Sequence, residues 1–354
     1  MKTIFKFIFL FNVSLLMSQN YQSAESVEYD SVNSQWLVAN GSSIIADDGE
    51  GNLSFFGIGN ASHGMEVLGN TLFAVASNAI KGYDLTSEEE VMNLQIPGVS
   101  FLNGLTNDGS NTLYVTDFSA GKIYSIDVSD LLNPTFTEIV SNTEGTPNGV
   151  LFDEDNNRLL FVTWGNNAKV KAVDLSNNMV STIITTSLSN IDGIDDDNDG
   201  NYYISSWSPA RITKYNNDFS VSEIVDTPNL NAPADIGYSK STDVLGIPMG
   251  SSVIFVDLTV LSVTDEDANP FDYLISSNPI NELSYLQFSL NDVETVTISI
   301  YSSIGKLIKT VVNEEKSTGT HQVLLSELKL SSGIYYSKLS TKSGVSIVKK
   351  LMVN

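Results

Sequence analysis

The chain lacks cysteine and is poor in histidine and in basic residues. Its 354 residues include no Cys, two His, and 18 Lys and Arg against 42 Asp and Glu. Without Cys, a disulfide scaffold, a thiolate zinc site and a cysteine nucleophile are all excluded. His63 and His321 are the two imidazoles of the sequence, so a metal site built from several histidines is excluded too.

The charge is unevenly distributed along the chain. Residues 20–267 contain 8 basic and 35 acidic residues, whereas residues 268–354 contain 8 basic and 7 acidic ones. So acidic a body repels phosphate backbones and anionic lipid surfaces, and we expect no nucleic-acid partner. A composition that is 42% hydrophobic and 17% charged indicates a folded chain with a sizeable core. The change in charge near residue 268 predicts a domain boundary.

The N-terminus has the order of a secretory signal. Lys2 and Lys6 precede an apolar stretch, and the small residue Ser18 follows it. This order predicts a signal peptide over residues 1–18 with cleavage near Ser18–Gln19. The apolar stretch is too short to span about 30 Å of hydrocarbon, and no later run approaches transmembrane length. We therefore expect an exported protein without a transmembrane segment.

A repeat of about 40 residues organises the acidic body. A polar residue, often followed by Gly, precedes alternating apolar residues, a turn and a further strand, at steps of 38, 40, 45, 44 and 43 residues. This period is typical of propeller blades, so we predict an all-β, six-bladed propeller over residues 20–267. Residues 258–263 or 20–24 would complete it. The polar residues, here called the ring positions, are Glu25, His63, Asn103, Asn148, Asp192 and Asp235.

The ring positions would meet at one mouth of the central channel, because the innermost strand of each blade lines it. The simpler explanation is that Asn and Asp are ordinary turn residues. Six converging polar side chains nevertheless predict a binding site. Oxygen donors without sulfur or clustered imidazole favour a hard divalent cation, Ca²⁺ first, with Mg²⁺ or Mn²⁺ as alternatives.

Two motifs resemble those of a known enzyme family. Asn148-Gly-Val-Leu-Phe-Asp and Asp192-Gly-Ile-Asp-Asp-Asp are similar to the fourth- and fifth-blade motifs of the senescence marker protein/gluconolactonase/luciferin-regenerating enzyme family, over about residues 22–262. The resemblance implies a six-bladed propeller with a divalent metal at the channel mouth and an activity that opens lactones. It implies Glu25, Asn148 and Asp192 as metal ligands, with Asn103 on the substrate side.

The sequence departs from the family pattern at three places. Ser26-Val27 follows the first-blade Glu where the family has Gly-Pro, and Gly104-Leu105 follows the third-blade Asn where it has Asp-Gly. Phe101 stands where the family often carries a sugar-contacting Arg. These departures affect sugar-lactone specificity more than metal binding.

The predicted function is that of a secreted, metal-dependent, lactonase-like hydrolase that opens a small, sugar-lactone-like cyclic ester. Asp192 would act as general base, and Asn103, His63 and Asp235 would contact the substrate. The alternative is a non-catalytic surface propeller that binds a glycan or a protein at its channel mouth.

Two further features have double interpretations. The segment Asp195–Gly200 reads D-x-D-x-D-G, but Ser206 occupies the twelfth position, where a calcium loop needs Glu. We expect an acidic hairpin turn, with a secondary Ca²⁺ site as the alternative. Trp164 and Trp207 fall near the ends of second strands. We expect them to pack between blades, with a pocket wall as the alternative.

The C-terminal residues 272–354 are predicted to form a small antiparallel β-sandwich with short, regular strands. The Ser-Gly-Ile-Tyr-Tyr strand at 332–336 and Lys349-Lys350 near the end resemble the sorting domain of the type IX secretion system. This resemblance implies a Bacteroidetes-type Gram-negative host, the secretion machinery as partner, and a secreted or cell-surface location. An accessory ligand-binding domain is the alternative.

Overall fold

The computed structural model describes the chain as two compact units, residues 1–258 and 259–354. The described residues are 20–49, 51–258, 273–281, 284–302, 306–325, 328–331, 333–342 and 346–353. The predicted signal peptide and the predicted boundary between 267 and 272 lie outside them. Within the described part of the chain, no helix is long and apolar enough to cross a membrane. The all-β prediction is confirmed.

The first three blades each contain four antiparallel strands in chain order from the inside outwards. Blade 1 consists of β1 (Ala24–Asp30), β2 (Gln35–Asn40), β3 (Ile44–Asp47) and β4 (Leu53–Phe55). Blade 2 consists of β5 (Met65–Leu68), β6 (Thr71–Ala76), β7 (Ala79–Asp84) and β8 (Glu90–Gln95). Blade 3 consists of β9 (Leu102–Asn107), β10 (Thr112–Asp117), β11 (Lys122–Asp127) and β12 (Thr135–Val140).

The remaining blades follow the same plan, with three described strands in the last. Blade 4 consists of β13 (Pro147–Asp153), β14 (Arg158–Thr163), β15 (Lys169–Asp174) and β16 (Met179–Thr185). Blade 5 consists of β17 (Ser189–Asp196), β18 (Tyr202–Ser208), β19 (Ala210–Tyr215) and β20 (Ser222–Ile224). Blade 6 consists of β21 (Gly237–Ser239), β22 (Val244–Pro248) and β23 (Val253–Asp257).

The six inner strands form a closed ring. Each of β1, β5, β9, β13, β17 and β21 contacts the next, and β21 contacts β1. At the closure the Asp235 amide donates to the Glu25 carbonyl at 2.9 Å, and Ala24 and Gly250 exchange two backbone hydrogen bonds. Residues 20–24 therefore contribute to closure through Ala24. Most of the other predicted segment, 258–263, lies outside the described residues.

Glycines after the ring positions let neighbouring inner strands approach closely. A Cβ on Gly104 would lie 2.6 Å from the Asn148 carbonyl oxygen, and one on Gly149 would lie 2.6 Å from that of Asp192. A Cβ on Gly193 would lie 2.6 Å from the Ile236 nitrogen. Side chains do not fit at such distances, so these glycines serve packing around the axis rather than a turn.

The propeller core lies between blades. Alternating apolar residues on the strands make the middle of each sheet apolar on both faces, so adjacent sheets pack against each other. The second strands are the most buried, as in β14, where Leu159, Leu160 and Phe161 are fully buried. Side chains from blades 2 and 3 share one cluster and those from blades 4 and 5 another.

The C-terminal unit contains two antiparallel sheets. One has the order β24–β25–β28, and the other β27–β26–β29–β30. Their inward faces share one apolar cluster that includes Phe288 and Ile298. The strands are β24 (Leu274–Ile275), β25 (Tyr285–Leu290), β26 (Glu294–Ser302), β27 (Leu307–Lys316), β28 (Gly319–Leu324), β29 (Gly333–Thr341) and β30 (Ser346–Val353).

Candidate functional site at the channel mouth

The ring positions lie level with one another around the axis. The Gly64 amide donates to the Asn103 carbonyl at 3.0 Å. A Cβ on Gly104 would lie against the carbonyl oxygen of Asn148. The Asp235–Glu25 hydrogen bond closes the circle. The inner strands therefore begin at the same end of the channel, which is called the ring mouth below. Its lining is mixed, because it combines carboxyl, amide and imidazole groups.

Two hydrogen-bonded groups of polar side chains lie side by side in one sector of the ring mouth. Asn148 Nδ2 donates to Asp192 Oδ1 at 2.9 Å, and the Trp207 side chain also donates to the Asp192 carboxylate. Ser26 Oγ donates to Asp235 Oδ2 at 3.0 Å and accepts from the Met65 amide at 3.2 Å. Ser26, which stands where the resembling family has Gly, thus connects blade 1 to blades 2 and 6 through hydrogen bonds.

The carboxyl groups of the ring mouth resist ionisation. Burial raises the pKa of Asp192 well above its ordinary value, and the charges of Glu25 and Asp235 raise it further, against the hydrogen bonds of Trp207 and Asn148. Burial raises the pKa of Asp235 to about 7 although Ser26 opposes this, and burial also raises the pKa of Glu25. A cation in this sector would relieve the shared cost of ionising these groups.

The fit of a divalent cation is supported by one buried atom. Asn148 is 2% exposed, and its Oδ1 has no hydrogen-bond partner. An unpartnered buried oxygen is costly and calls for an explanation such as an ion or a ligand. Among the described residues, no three His, Asp or Glu side chains converge closely enough to hold a metal. A cation here would therefore need the Asn148 amide oxygen together with the carboxylates of Glu25 and Asp192.

The other predicted ring residues are placed at the same mouth with different surroundings. Asn103 is buried, next to Gly64 of blade 2. His63 Nδ1 lies 3.1 Å from Ser62 Oγ, and burial lowers the pKa of the imidazole. The His63 ring packs edge-on against Phe101 with 4.6 Å between ring centroids. His63 thereby links the polar ring to an aromatic surface.

A continuous series of aromatic rings, here called the aromatic arc, borders the ring mouth from blade 2 to blade 5. Successive centroids are 4.6 to 5.9 Å apart, and all four contacts are edge-to-face. Phe101 is 37% exposed and Trp207 is 40% exposed. The two tryptophans pack together, as expected, and the exposure of Trp207 also supports the pocket-wall alternative. The arc consists of His63, Phe101, Phe118, Trp164 and Trp207.

A large cavity extends along the channel from Ser26 and Asp235 towards the end opposite the ring mouth. It measures about 1280 Å³ and is lined by residues from all six inner strands. Burial and mutual repulsion raise the pKa of Glu28 and of Glu66 well above ordinary values, and burial with the charge of Asp196 raises that of Asp195 to about 8. This carboxylate cavity, with Glu28, Glu66 and Asp195 in its lining, was not predicted from the sequence.

The sequence does contain a signal for the carboxylate cavity. Glu28, Glu66 and Asp195 each follow a ring position by three residues. Irregular register in β1 and β17 lets positions three apart face the same channel, where a regular strand would alternate. A sequence analysis that assumes strict two-residue alternation therefore does not predict that these residues face the channel.

The acidic segment after β17 forms a hairpin turn. Asp197 accepts from the Asp199 and Asn201 amides at 2.9 and 2.8 Å and forms an ion pair with Lys214 at 3.4 Å. Asp195 belongs to the strand rather than the turn, and its carboxylate accepts from the Tyr238 amide. The carboxylates of the D-x-D pattern thus have different surroundings, because Asp195 lies within β17 whereas Asp197 lies in the turn after the strand ends at Asp196.

Comparison with known proteins identifies the C-terminal unit. Residues 277–354 match the family described as secretion system C-terminal sorting domain. The C-terminal unit is a type IX sorting domain. The protein is therefore exported to the cell surface or the medium. A search of curated proteins finds no relative.

Solved structures show the fold of the larger unit. A protein of unknown function from Bacteroides thetaiotaomicron VPI-5482 aligns with a TM-score of 0.55 at 12% identity, covering 67% of this chain and 70% of that one. A catalytically inactive virginiamycin B lyase from Staphylococcus aureus, solved with quinupristin, aligns with a TM-score of 0.51 at 14% identity, covering 77% and 93%. At these identities the likeness establishes a propeller fold alone.

Proposed function

We propose that the protein is an extracellular, divalent-cation-dependent hydrolase that opens a small cyclic ester at the ring mouth. The observation that carries this proposal is the unpartnered Oδ1 of Asn148 beside the carboxylate of Asp192. Ca²⁺ suits an all-oxygen set of Glu25, Asn148 and Asp192, and Mg²⁺ and Mn²⁺ are alternatives. The sorting domain supports an extracellular substrate.

The residues around this sector have distinct roles in the proposal. A cation bound here would polarise the ester carbonyl and lower the pKa of the attacking water molecule. Asp192, held by Asn148 and Trp207, would accept the proton of the attacking water at its carboxylate. Asn103 would orient substrate oxygens, and Asp235 and His63 would contact the substrate from the neighbouring blades.

A non-catalytic propeller that binds a glycan or a protein at the ring mouth is the second candidate. Two observations favour it. Phe101 presents an apolar ring where the resembling family often has Arg, and the described His, Asp and Glu side chains form no metal centre by themselves. In this alternative the carboxylates would serve as hydrogen-bond acceptors for the partner.

Calorimetric titration of Ca²⁺ into the chelator-stripped protein tests the proposal. We expect one-to-one binding that Asp192→Ala and Asn148→Ala abolish, because each removes an oxygen donor. Asp127→Ala, an exposed carboxylate on β11, is the matched control and should bind as the parent protein does. Turnover of lactones that EDTA stops would then establish the hydrolase.

Two results would contradict the cation site. Binding that survives both substitutions would place the ion elsewhere, with the turn at Asp197–Asp199 as the first place to examine. Absence of binding for Ca²⁺, Mg²⁺ and Mn²⁺ would remove the hydrolase and leave the binding propeller.

A further inference from the structure

The ring mouth has an aromatic side and an acidic side. The aromatic arc extends through blades 2 to 5, whereas Glu25 and Asp235 come from blades 1 and 6. The two sides meet at Trp207, whose side chain donates a hydrogen bond to Asp192. A surface that is apolar on one side and rich in oxygen acceptors on the other fits a ligand that has an apolar part and a polar part.

We infer that the aromatic arc selects a cyclic ester that carries an aromatic or similarly planar apolar substituent, rather than a polyhydroxylated sugar lactone. This inference rests on the proposed function and specifies its substrate class. The ester group would face Asn148 and Asp192, and the substituent would lie against the aromatic arc on the side of Phe101. Phe101 and Trp207 are exposed, and the rings of Phe118 and Trp164 between them are half-buried. Exposed apolar surface beside a polar cleft marks a ligand-binding surface.

The position of the arc follows from the blade architecture. Phe118 and Trp164 come directly after β10 and β14, and Trp207 lies near the end of β18. Second strands run antiparallel to inner strands, so their last residues reach the mouth where inner strands begin. On the acidic side, the residues after β2 of blade 1 and β22 of blade 6 are Gly41 and Met249, so these second strands add no ring to the mouth.

The arc is ordered by hydrogen bonds before a ligand binds. The buried carboxylate of Asp117 accepts from the Ser100 and Phe101 amides at 2.8 and 3.0 Å. The Phe118 amide donates to the Phe101 carbonyl at 2.8 Å. These bonds fix the backbone that carries Phe101 and Phe118, and edge-to-face contacts hold their rings. Groups that are already fixed lose little conformational entropy when a ligand binds.

The same rings would leave the hydroxyls of a small sugar lactone without hydrogen-bond partners, whereas a larger glycan can stack an apolar C–H face on an exposed ring. Each hydroxyl of a bound sugar needs a hydrogen-bond partner, and a hydroxyl that loses water without gaining one lowers affinity. Phe101 and Phe118 offer only carbon and hydrogen on this side of the mouth. A phenyl ring has no such requirement and gains edge-to-face contacts of the kind the arc already contains.

Two lactams that resist hydrolysis test the inference separately from catalysis. The probes are δ-valerolactam and its 6-phenyl derivative, titrated into the full chain in the presence of Ca²⁺ with tryptophan fluorescence as readout. We expect the phenyl compound to bind at least tenfold more tightly. Phe101→Ala should reduce that preference to threefold or less, and Phe101→Leu should give an intermediate value.

A matched aromatic outside the arc controls for unspecific effects. Phe55 is exposed on the outer strand β4, so Phe55→Ala should retain the full preference. Equal affinities of the two lactams would overturn the inference, as would an equal loss of preference in Phe55→Ala and Phe101→Ala. Should Phe101→Ala fail to melt like the parent protein, Phe101→Leu decides the comparison.

Turnover of the corresponding lactones separates this inference from the proposed function. A preference for the phenyl lactam without turnover of either lactone supports the ligand class and contradicts the hydrolase. Turnover of both lactones without any lactam preference supports the hydrolase and contradicts the ligand class.

Discussion

The two ends of the propeller channel use carboxyl groups differently. At the ring mouth, Asp192 is held by an amide and an indole beside the aromatic arc. In the carboxylate cavity, Glu28 and Glu66 repel each other and Asp195. The nearby Lys240 pairs with Asp196 at 2.9 Å. Varied groups can recognise the shape and polarity of a ligand, whereas carboxylates alone recognise charge, so we assign selectivity to the ring mouth.

A substitution that forces the inner strands apart should disturb both ends of the channel. We expect it to have the largest effect on stability of the changes that we predict. Gly104→Ala would place a Cβ 2.6 Å from the Asn148 carbonyl oxygen. Because backbone atoms of two inner strands cannot move apart cheaply, we expect a loss of about 2 to 3 kcal/mol in unfolding free energy, measured by denaturant titration.

Gly145→Ala serves as the matched control for that change. A Cβ there would meet the Thr163 side chain at 3.3 Å, which a small shift accommodates. We expect a change in unfolding free energy within about 0.5 kcal/mol. Equal stability of Gly104→Ala and the parent protein would show that the inner strands have room at the ring.

The carboxylate cavity should make stability depend on pH. The carboxyl of Asp195 ionises near pH 4 in the unfolded chain, but burial and Asp196 raise its pKa to about 8 in the fold. Between pH 4 and pH 8, Asp195 therefore holds a proton in the folded state that it loses in the unfolded chain. The free energy of unfolding consequently falls as the pH rises from 4 to 8. The charged groups that interact with Asp195 are Glu28, Glu66, Asp196 and Lys240.

Glu66→Gln removes one of these charges while the amide oxygen can still accept from Asn107. We expect this variant to gain about 1 to 2 kcal/mol over the parent protein at pH 8 and little at pH 5, measured by thermal unfolding. Glu89→Gln, at an exposed position outside the channel, should follow the parent curve. A parent stability that rises from pH 5 to pH 8 would contradict this account of the cavity.

The sequence predicted the fold better than the site. The blade repeat and the C-terminal strands were predictable because period-two alternation and Gly/Asn/Asp turns report directly on β-structure. In β25 (Tyr285–Leu290), for example, buried and half-buried side chains alternate along the strand. The order of the ring positions around the axis was predictable as well, because each lies within three residues of the start of an inner strand.

The carboxylate cavity and the aromatic arc depend on geometry that the repeat does not show. Register irregularities bring Glu28 and Asp195 into the channel, and a bulge has no reliable sequence signature. Phe101 and Trp207 come from different blades more than 100 residues apart along the chain. Their joint position at one mouth follows from strand direction and closure of the ring, which a linear pattern does not specify.

The most direct test of the central claim is terbium luminescence excited through tryptophan. Tb³⁺ replaces Ca²⁺ at oxygen sites, and an ion held by Asn148 and Asp192 would lie beside Trp207. We predict sensitised emission that saturates at one ion per chain, disappears in Asn148→Ala and persists in Glu66→Gln. Emission that persists in Asn148→Ala and disappears in Glu66→Gln would place the cation in the carboxylate cavity and contradict the assignment of the ring mouth.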